Sequence, residues 1–466
     1  MLASLVLVAV AVSAAPGNAA LTDKLDKWLV AADFHGNVLV TKGGAVVLRK
    51  GYGMADRENG VSYDADTVFS VGSITKQFTA AAILKLEMQG KLHVEDAIGK
   101  YLPGVPEDKR AITLHQLLTH TSGLESDFAK DYDPVSRDEY VKRILASKLR
   151  TKPGASFYYA NSGYSLLGAI VELASGAPYE TYLRDNLFLP AGMRETGYKL
   201  PHWPPAKIAV GYHDGKRWGR ITEKPWAADG PYWALRANGA IHSTLDDLVR
   251  WNTALSNDTV LSAVERAKMF QAYISEGAGA ETSYGYGWTI GKSAWGGRLI
   301  EHNGGNGTFF ADFLRYVDDD IVVILSTNDS EVRGGRISHA VGRMTHGDDV
   351  PLPKPPGAAL QPLSKSDRDS LIRAWIDAYN AKGMEAMRAF RTAHQVQRPG
   401  MSDAEREQRL AAMREDVGHL ELLGIVEAAA DQVTVRAKGS NGPTATLKFT
   451  FTANGKVDAI GVELAN

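Results

Sequence analysis

Ser73-Ile74-Thr75-Lys76 sets a hydroxyl and an amine three residues apart. A serine hydroxyl is a weak nucleophile until a base takes its proton. Three residues apart on a helix means one shared face, so Lys76 would reach the Ser73 oxygen. A helix start also favours negative charge developing on that oxygen. This is the chemistry of a covalent acyl-enzyme. The spacing alone fits equally well a serine near a helix start followed by a solvated lysine. A second group is Tyr159-Ala160-Asn161, which follows the Pro153-Gly154 turn. A phenol beside an ammonium can work as general acid and base, and the Asn161 amide can hold a substrate carbonyl. The same residues also read as a packed aromatic followed by a helix cap. The third group is His302-Asn303-Gly304-Gly305. Glycines there let a substrate backbone come close. The Gly305 N–H could join that of Ser73 as an oxyanion hole, and His302 could orient substrate or relay a proton. Otherwise the segment is a glycine-rich hairpin turn.

The surrounding sequence provides elements to position these residues. Asn37–Thr41 and Ala45–Lys50 are apolar runs joined by Lys42-Gly43-Gly44, which predicts a β-hairpin. From Ser73 to Gln89, apolar residues at Ile74, Phe78, Ala81, Ala82 and Leu86 mark one face of a helix, with Gly90 placed to end it. Gly163–Ala174 and Asp246–Leu255 also read as helices, the first begun by Asn161 or Ser162. Between them Pro201–Trp233, with Trp203, Trp218, Trp226 and Trp233, reads as a long ordered loop. Its rings either line a site or seal the loop to the body. Strand signals return at Gly285–Ile290, Leu299–His302, Thr308–Tyr316 and Ile321–Ser326, with a turn at Asp318-Asp319-Asp320. Strands at both ends and helices between them predict one antiparallel sheet with an inserted helical lobe.

Taken together and in order, the clusters resemble the serine β-lactamase and penicillin-binding-protein superfamily. The branch they resemble holds class C β-lactamases, DD-carboxypeptidases, D-aminopeptidases and β-lactamase-fold esterases. The resemblance runs from about Val38 to Asn328. It rests on Phe69 to Lys76, Leu117-Leu118-Thr119-His120-Thr121-Ser122-Gly123-Leu124, and Pro153-Gly154 through Tyr164. Asn238-Gly239-Ala240-Ile241-His242-Ser243-Thr244 with Asp246-Asp247-Leu248, and Glu301 to Gly305, complete it. The resemblance implies an α/β (α+β) fold with a β-lactamase-like antiparallel sheet flanked by helices. It also implies Ser73 as nucleophile, Lys76 as its activator and Tyr159 as shared base and acid. Asn161, His302, Asn303, Gly304 and Gly305 would bind substrate. The substrate would be a small ester, a D-residue peptide or a β-lactam. The third cluster departs from the Lys-Thr-Gly of class C β-lactamases. A neutral His302 anchors a carboxylate less firmly than an ammonium does, which points away from β-lactam specialisation.

Other classes lack their signatures. The chain has no Gly-x-Ser-x-Gly elbow. His115 and His120 are five apart, off the spacing of paired zinc ligands, so neither metal nor organic cofactor is expected. With no cysteine, disulfides and thiolate chemistry are excluded. Fifty-two basic against 54 acidic side chains, net charge -2, offer no field for nucleic acid. The expected partner is a small-molecule or peptide substrate, and oligomeric state is left open. A sensor that acylates and then stalls is the alternative to a turning-over hydrolase. Residues 1–20 read as a signal peptide, with an apolar run too short to span a bilayer and no basic residue ahead of it. That implies export to the periplasm or medium. Residues 21–350 would form the hydrolase domain, 351–364 a Pro-rich linker, and 365–466 a small α+β domain holding no catalytic residues. In the last, a helix containing Leu371, Trp375, Ile376 and Tyr379 precedes strands at Gln432–Ala437, Ala445–Thr452 and Val457–Glu463.

Overall fold

The computed structural model describes residues 18–277, 279–330, 332–352, 360–396, 403–429, 431–441 and 444–465. The leader read over residues 1–20 lies outside them up to position 17, as does the Pro-rich stretch over 353–359. No helix among the described residues is long and apolar enough to cross a membrane.

The chain divides into two units, Met1–Pro353 and Lys354–Asn466. The first is built on an eight-stranded, wholly antiparallel sheet. Its strands are β1 (Gly36–Lys42), β2 (Ala45–Tyr52), β3 (Ile274–Ser275), β4 (Ser283–Tyr284), β5 (Thr289–Lys292), β6 (Arg298–Gly305), β7 (Phe310–Tyr316) and β8 (Ile321–Thr327). Their order is β2-β1-β8-β7-β6-β5-β4-β3. The first hairpin thus pairs with the last strand, Leu39 opposite Ile324. β1 and β8 are buried on both faces, and their near-continuous Val, Leu and Ile content fits that position. On one side Val38, Val40, Val323 and Leu325 pack against helix α1 (Ala19–Ala31) and the later helix Gly334–His346. On the other, Leu39, Phe313 and Ile324 join the larger core of the helical lobe. Each large apolar side chain taken from water contributes about 1.5–3 kcal/mol.

Helix α2 (Thr75–Met88) runs through that lobe. The expected one-sided apolar face is too narrow a reading, because Thr75 to Leu84 is buried on every side. A helix enclosed by others needs no polar face. Gly90, at φ +69°, follows its end in the left-handed conformation. Helix α3 (Asn161–Ser175) packs against α2 and stops at Gly176, φ +73°. The segment Gly285–Ile290 is not one strand. Gly285 N–H bonds Trp288 O across a turn, and Gly287 takes φ +76° against the backbone of Lys76. A glycine pressed that closely onto α2 breaks the ladder between β4 and β5.

In the long loop, Gly211–His213 pairs with Lys216–Gly219 as a small hairpin. Trp203 and Trp226 pack on His242, and Trp233 belongs to the core, so these rings seal the loop. Trp218 instead packs on Tyr132 and Phe309.

The second unit has helices Asp367–Asn380, Glu385–His394 and Asp403–Val417 and a four-stranded antiparallel sheet, joined in one core by Trp375, Tyr379, Phe390, Leu447 and Phe449. Its first strand, Leu420–Ala428, had no clear sequence signal. Two register shifts, one beside Gly424 at φ +149°, break its period-two pattern. Gln361, within the segment read as linker, pairs with Ile425. Because each unit encloses its own core, a chain ending at Leu352 is expected to unfold in a single cooperative transition, checked by thermal circular dichroism. A non-cooperative melt would contradict the division.

Candidate active site

Ser73 sits in a single 3-10 turn, Gly72–Ile74, that leads into α2. Two ties fix the turn. Val71 N–H donates to Ile241 O at 2.9 Å, and Ile241 N–H donates to Thr75 Oγ1 at 3.3 Å. The turn is also pressed against the end of β6. A Cβ on Gly304 would stand 2.1 Å from Val71 O and 2.4 Å from Ser73 N. A Cβ on Gly72 would stand 2.7 Å from Gly305 N, and Gly72 already needs φ +51°. Only two glycines allow backbones this close. The contact sets the N–H-bearing backbones of Ser73 and Gly305 side by side, as an oxyanion hole requires.

Lys76 is fully buried. Its Nζ lies 3.0 Å from Ser73 Oγ, 2.9 Å from Asn161 Oδ1 and 2.8 Å from Asn238 O. Burial disfavours the ammonium and brings its pKa down to about 7, while Asp127 and Asp131 pull it back up. The last two oxygens can only accept, whereas the serine hydroxyl can accept or donate. A neutral amine has two N–H groups and one lone pair. It can therefore donate to Asn161 and Asn238 and take the proton of Ser73. Asn161 opens α3, and its Nδ2 is turned to Asp127 Oδ1 at 3.1 Å, which leaves Oδ1 for Lys76. Asn238 was not assigned a role from sequence. It lies in a loop where Ala237 and Ala240 both take positive φ, at 70° and 65°. Such strain in non-glycine residues marks a backbone held for a purpose. Here the result is a carbonyl aimed at Lys76.

Tyr159 has its ring 4.8 Å from Lys76 Nζ. Burial raises its pKa well above the usual phenol range, against a hydrogen bond with Ser73 that lowers it. The phenol is therefore protonated at rest and available as an acid.

His302 and Asn303 sit differently from the sequence expectation. His302 is buried, with Nδ1 2.6 Å from Asn303 O and Nε2 2.8 Å from Tyr284 Oη. A carbonyl can only accept, so Nδ1 carries the proton and Nε2 accepts from the tyrosine. Both nitrogens are used. Burial, then the charge of Lys76, lowers the imidazole pKa to about 3, which keeps it neutral. Asn303 is exposed, and strand alternation sets its side chain on the face opposite Gly304, away from the Ser73 turn. What Asn303 gives the site is its carbonyl.

A narrow cleft of about 70 Å³ opens over Ser73, lined also by Asn161, Gly305, Asp131, Tyr132 and Leu235. Asp131 was missed from sequence. Its loop, between Gly123 and helix Arg137–Ala146, carries no short motif, and only chain folding brings it to Ser73.

Two outcomes test this geometry. Gly304→Ala should lower turnover by about 100-fold or more, the usual cost of a lost oxyanion donor. Gly90→Ala, with open space around it but positive φ, should cost about 1 kcal/mol of stability and no activity. A Gly304→Ala protein of normal activity would refute the backbone contact. The second outcome concerns pH. If neutral Lys76 is the base, acylation rises as pH passes through about 7. Asp131 raises the Lys76 pKa, so Asp131→Asn should move that limb to lower pH. A limb that stays in place or moves up contradicts the coupling.

Comparison with known proteins agrees with this architecture. The family described as Beta-lactamase matches residues 25–341. A Bacillus subtilis protein named as penicillin-binding protein PbpX is 30% identical over 318 residues, covering 68% of this chain and 77% of its own length. A penicillin binding protein from Bacillus halodurans superposes with TM-score 0.60 at 25% identity, covering 69% of this chain and 99% of that one. The octameric penicillin-binding protein homologue from Pyrococcus abyssi, at 22% identity and TM-score 0.63, shares the fold over 96% of this chain and 97% of its own. The chain belongs to the beta-lactamase family, whose members are mostly serine hydrolases.

Proposed function

We propose that the protein hydrolyses small esters or amides through an acyl-enzyme on Ser73. The observation that carries this reading is Lys76 Nζ, buried and 3.0 Å from Ser73 Oγ, held so that its neutral form completes every bond around it. The environments of Lys76 and Tyr159 push their pKa values apart, and that divides the labour between them. Lys76 takes the serine proton as Oγ attacks the carbonyl carbon. The N–H groups of Ser73 and Gly305 hold the oxyanion. Tyr159 gives its proton to the leaving oxygen or nitrogen, which departs as alcohol or amine. Water then attacks the ester, with proton transfer in the reverse sense, and releases the acid. Export ahead of this chemistry, by removal of residues 1–20, belongs to the same proposal.

The cleft's charge narrows the substrate. A carboxylate on the substrate would meet a neutral His302 whose nitrogens are both engaged. It would also meet Asp131, which lines the cleft with the like charge of Asp127 near it. Like charges at a few ångströms in a half-desolvated site repel by about 1 kcal/mol or more. Neutral acyl groups and neutral leaving groups are favoured over β-lactams and peptides that carry a carboxylate there.

The test compares wild type and Ser73→Ala on p-nitrophenyl acetate, and on a matched pair of esters with and without a free carboxylate. Sustained turnover lost by about 1,000-fold or more in the variant, and a several-fold preference for the neutral ester, are expected. A single burst equal to the enzyme concentration would mean a stalled acyl-enzyme instead. Activity equal in both proteins would overturn the assignment of Ser73.

A further inference from the structure

His120 takes no part in the steps above, yet it touches Tyr159 in three ways. Its backbone carbonyl accepts from Tyr158 N–H at 2.8 Å. Its Nδ1 accepts from Ala160 N–H at 3.0 Å. Its ring lies on that of Tyr159, with centroids 4.3 Å apart and planes 32° from parallel. One residue therefore bonds the backbone on either side of Tyr159 and packs on the ring between.

Two further features show that this arrangement is held at a cost. His120 sits at φ +57°, a region few non-glycine residues occupy. It is reached just after helix Leu114–Leu118, where His120 N–H still bonds Leu117 O. The second feature is the tautomer. A backbone N–H can only donate, so Nδ1 is the acceptor and the proton is on Nε2. That Nε2 is buried and has no hydrogen-bond partner. The ring is enclosed by Phe157, Tyr164 and Tyr284. Burial and the nearby charge of Lys76 hold it neutral, so it adds no second cation beside the base. An orphaned buried donor and a left-handed histidine are both unfavourable for stability alone.

We propose that His120 is the positioning residue of Tyr159, fixing the phenol so that its hydroxyl stays in bonding reach of Ser73 and of the departing group. The proposal rests on the Ser73 acyl-enzyme reading. His120 touches no reacting atom and acts only through the tyrosine. Substrate affinity owes it nothing, so its effect belongs to the chemical step.

A double-mutant cycle tests this. His120→Asn keeps an acceptor oxygen at the place of Nδ1 and tolerates positive φ, but removes the ring. Single-turnover acylation is followed with the full chain in excess over p-nitrophenyl acetate, so that slow variants remain measurable. His120→Asn should slow acylation about tenfold with KM changed less than about twofold. In the Tyr159→Phe background, where the hydroxyl to be positioned is gone, the same change should cost less than about twofold. His120→Phe keeps the ring volume, removes the acceptor, and should show the same coupling if the asparagine variant folds poorly. Equal losses in both backgrounds, or no loss in the wild-type background, would overturn the proposal. Every rate is compared with Ser73→Ala. Cleavage that persists there would defeat the acyl-enzyme reading itself, a result distinct from a failed coupling.

Discussion

Two backbones touch where the end of β6 meets the turn that bears Ser73, and no side chain could stand between them. Gly304 lies on the Val71–Ser73 backbone and Gly72 on that of Gly304–Gly305. A helix start and a strand end normally keep a side-chain width apart. Removing both Cβ atoms lets the backbones that carry the Ser73 and Gly305 N–H groups lie side by side. The sheet order then acquires a purpose. β6 is held in register by β5 and β7, and β7 by β8, which pairs with the first hairpin. Residues almost 270 positions apart in the chain thus determine where Gly305 stands relative to Ser73.

Lys76 makes the second demand. A fully buried amine is tolerated where every hydrogen finds an acceptor or where the group sheds its charge. The fold does both. Asn161 from the start of α3 and Asn238 from a strained loop supply two oxygens, and the low polarity around them brings the pKa to about 7. The same loop accepts from Thr79 Oγ1 through Ala237 O and reaches the Ser73 turn through Ile241. The amine and the serine are therefore anchored by one stretch of chain. A shift in that loop would disturb both.

Much of this was legible in the residues. The Ser73–Lys76 spacing, the hairpin at its two glycines, the helix ended by Gly176 and the glycines after His302 each have a local cause that sequence displays. The missing parts have non-local causes. Asn238 acts through its carbonyl, which every residue possesses, so side-chain identity could not reveal it. Asp131 reaches the cleft through a loop with no motif. The strand Leu420–Ala428 is hidden by its bulges. His302 was read by its type as a group facing substrate. Its actual state is set by a tyrosine 18 residues away and its neighbour's carbonyl.

That last difference bears on why the site holds imidazoles behind its tyrosine at all. His120 and His302 both lie in the buried cluster with Tyr159, Tyr164 and Tyr284, and both are kept neutral partly by the charge of Lys76. A lysine or arginine in either place would add a positive charge that the cluster cannot solvate, and would press the Lys76 pKa further down. A phenylalanine would leave Tyr284 or Ala160 N–H without an acceptor. A neutral imidazole supplies the acceptor without the charge. It adds no cation beside Lys76, whose protonation is set by its own burial and by the charges of Asp127 and Asp131.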